Sequence, residues 1–367
     1  MIDKAQAAVR RTAQTLAHAA TGVGAAAVMA AAATAGLLAA APAAKAADYP
    51  AMSFNMAHFL PQTYGGAEWE QWWADELRKR SDGAIDVTIF WAGSLGGAME
   101  ILDLVGSGAV PLGVSAQGYF LSDLPVAGTA GNLMMRTHTG PADSLDTWRK
   151  FLEDPQVRKE LDEARVVALA GQAANPYKLT CAKPVRTVAD IKGLRVRVPG
   201  SYMPEWWASL GAVPVSVPLA EQYEALQKGT IDCAYSPLDQ IFSTRLDEVA
   251  KFAIDLSTGS HLTWNIFMNK DAWEALPQPV RDLMTEVSED MMSELVAYNE
   301  ALAKRTIEET IPAHGMTYVT FEEKDKADAE ALDTISLWVE RLTDQGLGET
   351  ARRLEPILRE KRAAFHD

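Results

Sequence analysis

Arg197 is the side chain in this sequence best suited to chemistry with a small anion. It stands in the run Leu194-Arg195-Val196-Arg197-Val198-Pro199, where apolar residues alternate with arginines. That alternation predicts a strand with one apolar face. Proline cannot donate to a strand ladder, so Pro199 ends the strand and leaves Arg197 near its carboxyl end. In α/β sheets, ligands bind outside the carboxyl ends of the strands, and a guanidinium grips a carboxylate through two parallel hydrogen bonds. A lone arginine at such an end can equally be a solvated surface residue. The neighbouring elements decide between the two.

Those elements fall into two blocks of alternating strand and helix. In the first, a strand over 52–57 ends at His58, and a helix follows over 66–80. Trp69, Trp72, Trp73 and Leu77 recur there at helical spacing, which suits a buried helix face better than a cofactor box. A strand over 86–91, a helix over 97–105 and a strand over 110–115 complete the block near Gln117. In the second block, strands over 194–198, 213–217 and 231–235 enclose helices over 202–210 and 220–228. Gly211 and Gly229 stand where a left-handed cap stops each helix. Short strands alternating with helices predict parallel sheets with right-handed crossovers.

The fold class expected is therefore α/β, with two lobes facing each other. After a return segment at Trp264–Phe267, one helix over 278–310, about 50 Å long at 1.5 Å per residue, is expected to span both lobes. Two further helices, over 322–345 and 349–365, offer no chemistry. The boundaries expected are lobe I at 47–174 plus 262–301 and lobe II at 175–261 plus 302–367.

Parallel topology sends Arg197–Pro199, Ser216–Leu219 and Tyr235–Pro237 to one edge, and Ala57–His58, Trp91 and Ser115–Gln117 to the edge facing it. A cleft with one strong cation, several hydroxyls and amides, and aromatic rings suits a small organic acid. His58 is a donor to ligand oxygen or a structural hydrogen-bonding group. Gln117 and Tyr119 lie where a loop leaves a strand, a common place for ligand contact. Tyr235 offers a ring or hydroxyl, Trp206 and Trp207 pack their helix on the sheet, and Asp239 either supports Arg197 or faces water.

The N-terminus carries Lys4, Arg10 and Arg11, then an alanine-rich apolar stretch to Ala44-Lys45-Ala46. A positive start, a hydrophobic run and a small-x-small site read as a signal peptide over 1–46, cut before Ala47. Sec export fits better than a twin-arginine signal at Arg10-Arg11, and an uncleaved anchor is the alternative. Loss of that segment's four basic residues and one acidic residue takes the formal charge from −15 to −18. Such acidity argues against DNA, other nucleic acid or anionic membrane as a partner. It also requires an anionic ligand to be captured by a locally placed cation.

No later run of eighteen apolar residues occurs, so the mature chain reads as soluble. Cys181 and Cys233 lie on expected strands of one lobe and either pair or stay as buried thiols. There is no CxxC, HExxH or GxSxG. Neither a cofactor, a metal nor catalysis is therefore expected. A secreted enzyme acting on organic acids, or a binding protein feeding a sensor, remains the alternative.

The run Val188-Ala189-Asp190-Ile191-Lys192-Gly193 through Arg197-Val198-Pro199 resembles the periplasmic solute-binding proteins of TRAP (tripartite ATP-independent periplasmic) transporters, in their dicarboxylate-binding (DctP-like) branch. Leu210–Val215, Glu221–Asp232, Gly93-Ser94-Leu95-Gly96 and Asn269–Trp273 carry the same resemblance. It implies the two-lobed Venus-flytrap, type II-like fold of a periplasmic binding protein, non-enzymatic and periplasmic in a Gram-negative cell, that delivers an organic acid to TRAP membrane permease subunits. The family's carboxylate-binding arginine matches Arg197. A second polar contact, often asparagine, is Ser236 here, and the position that stacks on the ligand is Leu219. Where some members carry a second arginine, this chain has Tyr177, with Lys178 beside it. Fewer charged anchors imply a monocarboxylate, with an aromatic or keto acid favoured, over a dicarboxylate.

Overall fold

A computed structural model describes residues 49–129, 135–199, 202–217 and 221–366. The expected signal peptide over 1–46 and Leu219 lie outside the described residues. Two mixed sheets organise the described residues. The first holds β1 (Met52–His58), β2 (Ile85–Phe90), β3 (Leu112–Ser115), β4 (Val166–Ala173) and β10 (Leu262–Asn269), in the order β2-β1-β3-β10-β4. The second holds β5 (Tyr177–Cys181), β6 (Arg195–Arg197), β7 (Val213–Val215), β8 (Cys233–Pro237), β9 (Phe252–Asp255) and β11 (Thr317–Thr320), in the order β11-β9-β5-β8-β6-β7.

The strands expected from sequence do pair in parallel: β1 with β2 and β3, and β6 with β7 and β8. One strand in each sheet departs from the all-parallel expectation. β10 runs against β3 and β4, and β5 runs against β8 and β9. The departure follows from the chain's path. It passes from β4 into β5 through residues 174–176 and returns from β9 into β10 through residues 256–261. The two crossings bind each other, Ala174 N–H to His261 O at 2.9 Å and Tyr177 N–H to Gly259 O at 2.9 Å.

The helix Glu68–Arg80 places Trp69, Trp73, Ala74 and Leu77 on one face, and Trp73 is fully buried in the first core. Acidic residues in its first turn and Arg78, Lys79 and Arg80 in its last complement the helix dipole. The long helix is Gln278–Arg305, about 42 Å. Val280, Leu283, Met284, Val287, Met291 and Leu295 pack into the first core, and beyond a wider turn at Thr306–Thr310, Ile311 enters the core of the second sheet. It therefore joins both lobes.

Two expectations near the C-terminus are corrected. The helix expected over 322–345 is two helices, Lys324–Glu330 and Thr334–Asp344, because the Asp333 carboxylate caps the second by accepting from Ile335 N and Ser336 N. The helices Thr334–Asp344 and Gly348–His366, assigned from sequence to lobe II, pack on the first lobe. Trp338, Leu342, Leu354 and Leu358 meet Val105, Phe151 and Val157. An amphipathic stripe shows that a helix has a buried face, not which surface receives it.

Cys181 and Cys233 oppose each other on β5 and β8 and are disulfide-bonded across a sequence separation of 52. Closing a loop of that size removes about 4 kcal/mol of unfolded-state entropy. The Cys181→Ala/Cys233→Ala variant is expected to unfold at lower urea concentration and several degrees lower in temperature. A midpoint equal to the wild type's would show that the bond does not stabilise the lobe.

Candidate functional site

The carboxyl ends of β1, β3, β6 and β8 converge with β10 on a cavity of about 120 Å³. Arg197 is 5% exposed and forms part of its wall. Its Nε–H donates to Val217 O at 3.0 Å and its Nη1–H to Tyr235 O at 3.2 Å. These bonds commit two of the five guanidinium donors and fix the plane of the group. Among the described residues, no carboxylate forms an ion pair with Arg197, although most other arginines have one.

Burial lowers the pKa of Arg197, an effect that the nearby Tyr177, Tyr64, Tyr119 and Tyr235 partly oppose. A guanidinium keeps its proton regardless. The guanidinium is thus a desolvated cation with no formal counter-charge among the described residues, which is costly.

Aromatic rings surround it. Phe59, Tyr64 and Tyr119 come from first-lobe loops, Tyr177 from β5 and Trp264 from β10. Tyr64 OH donates to Gln240 Oε1 at 3.0 Å, a bond between the loop after β1 and the helix after β8. Burial pushes the Tyr177 hydroxyl up to about 12 and the Tyr64 hydroxyl up further, so both are neutral donors. Tyr177 also meets His261 edge-on at 4.4 Å and Tyr235 at 5.1 Å.

Of the residues singled out from sequence, Arg197, Tyr177 and Tyr119 meet at this cavity. Tyr235, Ser236, Gln117 and His58 do not line it. Tyr235 is fully buried, and its ring faces the second core, packing on Trp207. Its hydroxyl bonds Thr258 Oγ1 at 2.5 Å and His261 Nε2 at 3.0 Å, so its contribution to the site is the backbone carbonyl that holds Arg197. Ser236, next along the strand, points to the opposite face with its hydroxyl buried and unpartnered. Gln117 is 3% exposed, and neither amide atom has a partner among the described residues.

His58 takes the structural alternative. Its Nδ1 accepts from Leu60 N–H at 3.0 Å and its Nε2 faces Glu70 Oε2 at 3.4 Å. Asp239 accepts from Asn175 Nδ2 at 3.0 Å and lines an adjoining cavity of about 220 Å³. Lys178 pairs with Asp255 and Tyr318 and does not replace the missing second arginine.

The wall residues Phe59, Tyr64, Met203, Gln240, His261 and Trp264 were not anticipated as site residues. Phe59 and Tyr64 follow a strand's carboxyl end, the same signal that marked Arg197. Trp264 belongs to the strand that runs against its neighbours, which hid it. Among the described residues, no group of three or more His, Cys, Asp or Glu could hold a metal ion, and no helix is long and apolar enough to cross a membrane.

The arrangement is thus two α/β lobes around a buried cation without an acid partner among the described residues. Residues 56–335 match the family model of the bacterial extracellular solute-binding proteins, family 7 (DctP). The chain belongs to that family, the solute-binding proteins of TRAP transporters. It is 27% identical over 266 residues to the C4-dicarboxylate-binding periplasmic protein DctP of Rhodobacter capsulatus, spanning 69% of this chain and 73% of that one. Among solved structures, a TRAP solute-binding protein from Rhodoferax ferrireducens with copurified benzoate superposes with a TM-score of 0.73. The two are 24% identical, and the match covers 86% of this chain and 98% of the other. DctP7 of Bordetella pertussis, an extracytoplasmic solute receptor binding pyroglutamic acid, gives a TM-score of 0.73 at 20% identity, covering 84% of this chain and all of the other.

Two buried histidines make stability depend on pH. Burial pushes His138 and His261 down to about 3, against about 6.5 in the unfolded chain. Between those values the unfolded chain binds the more protons. The contribution is therefore complete above pH 6.5 and is lost as pH falls toward 3. Urea unfolding from pH 6 to pH 4.5 is expected to show stability falling by about 1.4 kcal/mol per unit for each histidine. A flat profile over that range would contradict the buried, neutral assignment.

Proposed function

We propose that this protein captures a small organic acid with one carboxylate and a flat, largely apolar body, and delivers it to the membrane permease of a TRAP transporter. The carboxylate sits on Arg197, and the body lies among Tyr177, Phe59, Tyr64 and Trp264. The carrying observation is a desolvated guanidinium, without an acid partner among the described residues, opening on a cavity walled by rings. A carboxylate supplies the missing charge through hydrogen bonds stronger than those between neutral groups. A second carboxylate would find no second cation at this cavity, and Lys178 is already paired.

Relatives of this fold bind acids with one carboxylate, benzoate, pyroglutamic acid and galacturonate among them, and another is named for binding C4-dicarboxylates. The absence of a second cation favours the first group. Residues 1–46 act as the export signal and the mature protein works in the periplasm. The lobes, 47–174 with 262–301 and 175–261 with 302–333, close about the crossing segments 174–176 and 256–261, and the last two helices travel with the first lobe. Tyr64–Gln240 forms as they meet. Binding requires no bond to be made or broken in the ligand, so the protein is not an enzyme.

A thermal-shift screen across aromatic, keto, cyclic and dicarboxylic acids tests this, because a ligand bound only by the native state raises its melting temperature. At least one monocarboxylate is expected to raise it. Arg197→Ala should then weaken that acid by about 2–5 kcal/mol in calorimetry, the cost of leaving a buried charge unpaired. Wild-type affinity in the variant, or a response to dicarboxylates alone, would overturn the reading.

A further inference from the structure

Glu70 is fully buried on a helix face otherwise made of Trp69, Trp73, Ala74 and Leu77. Desolvating a carboxylate is costly, and an apolar residue of similar volume would serve packing as well or better. What the charge does is gather donors. Its Oε1 accepts from Trp264 Nε1–H at 3.0 Å and from Gln172 Nε2–H at 2.5 Å, and His58 Nε2 faces Oε2 at 3.4 Å.

The donor roles are fixed by the other partners. His58 Nδ1 accepts from Leu60 N–H, which leaves the proton on Nε2. The Gln172 amide nitrogen also donates to Gly66 O at 3.1 Å, which sets the orientation of the amide, and an indole N–H only donates. One buried charge thus ties together the end of β1, the loop after it, β4 and β10. Trp264 lines both the Arg197 cavity and the adjoining one, as Thr263 and Gln240 do, and Leu60 lines the former. The loop also lies against the indole: a Cβ at Gly66, which has φ +101°, would come within 2.9 Å of Trp264 Cζ2.

We propose that Glu70 is a positioning residue for the ligand site, orienting the Trp264 indole and anchoring the 58–66 loop so that the cavity accepts flat acids of one thickness. This rests on the reading that the Arg197 cavity holds the ligand. Glu70→Gln keeps the shape but sets an NH2 group against an N–H donor. It is expected to weaken the best monocarboxylate from the screen about tenfold and to narrow the gap between flat and bulky acids. In a Trp264→Phe background, which has no indole N–H, the same substitution should change affinity less than twofold. Full multiplication of the two effects would make Glu70 merely structural and overturn the proposal.

A second readout needs no ligand. The Trp264 indole resonance in a ¹H–¹⁵N spectrum, assigned by its loss in Trp264→Phe, should move upfield and exchange faster in Glu70→Gln. An unmoved resonance overturns the proposal even if no acid binds. A wild type that takes up no acid while that resonance moves would sink the functional reading alone. Should Glu70→Gln fail to fold, Trp264→Phe deletes the same bond from its other end. Affinity and selectivity unchanged in that variant would count against the proposal.

Discussion

A guanidinium removed from water without a carboxylate beside it is the constraint on which this structure turns. Arg197 is held by two backbone carbonyls, which orient it but carry no formal charge to balance its own. Folding bears that cost because most of the molecule is organised elsewhere. The first sheet and the long helix supply one core, and the second sheet with the Trp206–Trp207 pair supplies another. In the proposed reading, an anion entering between them meets donors that are already arranged, so little further ordering is lost on binding. The strongly acidic surface does not attract such a ligand, which places the whole burden of capture on local chemistry.

The remaining architecture positions that one group. β6 and β8 carry the strand ends that present Arg197 and the Tyr235 carbonyl, and the disulfide joins β8 to β5, whose first residue is Tyr177. Cation, holding carbonyl and facing ring therefore move as a body. The opposing wall is built differently, from the loop after β1 and from Trp264 on a strand that arrives by the second crossing. Its order derives from the buried Glu70 bonds. One half presents the cation and the other presents most of the rings that wall the cavity.

Much of this was legible in the sequence, and the limits are physical. The period-two pattern before Pro199 marked both β6 and the side chain at its end, and Gly211 and Gly229, at φ +84° and +65°, marked two helix ends. The apolar stripe after Pro277 gave the long helix. Strand direction was not legible, because a return crossing and a parallel strand share the same alternation. That is why the antiparallel course of β5 and β10 was missed, and with β10 the role of Trp264. Tyr235 could have been read inward, since period two puts it on the face of Cys233. The lobe that receives the last two helices depends on surface complementarity that no single stripe records.

The most direct measurement is a crystal structure of the protein with the acid selected by its melting-temperature response. The account predicts one carboxylate within hydrogen-bond distance of the Arg197 guanidinium, with the rest of the molecule lying among the Tyr177, Tyr64 and Trp264 rings. A ligand whose carboxylate is held by other groups, while Arg197 still bonds only Val217 and Tyr235, would contradict it.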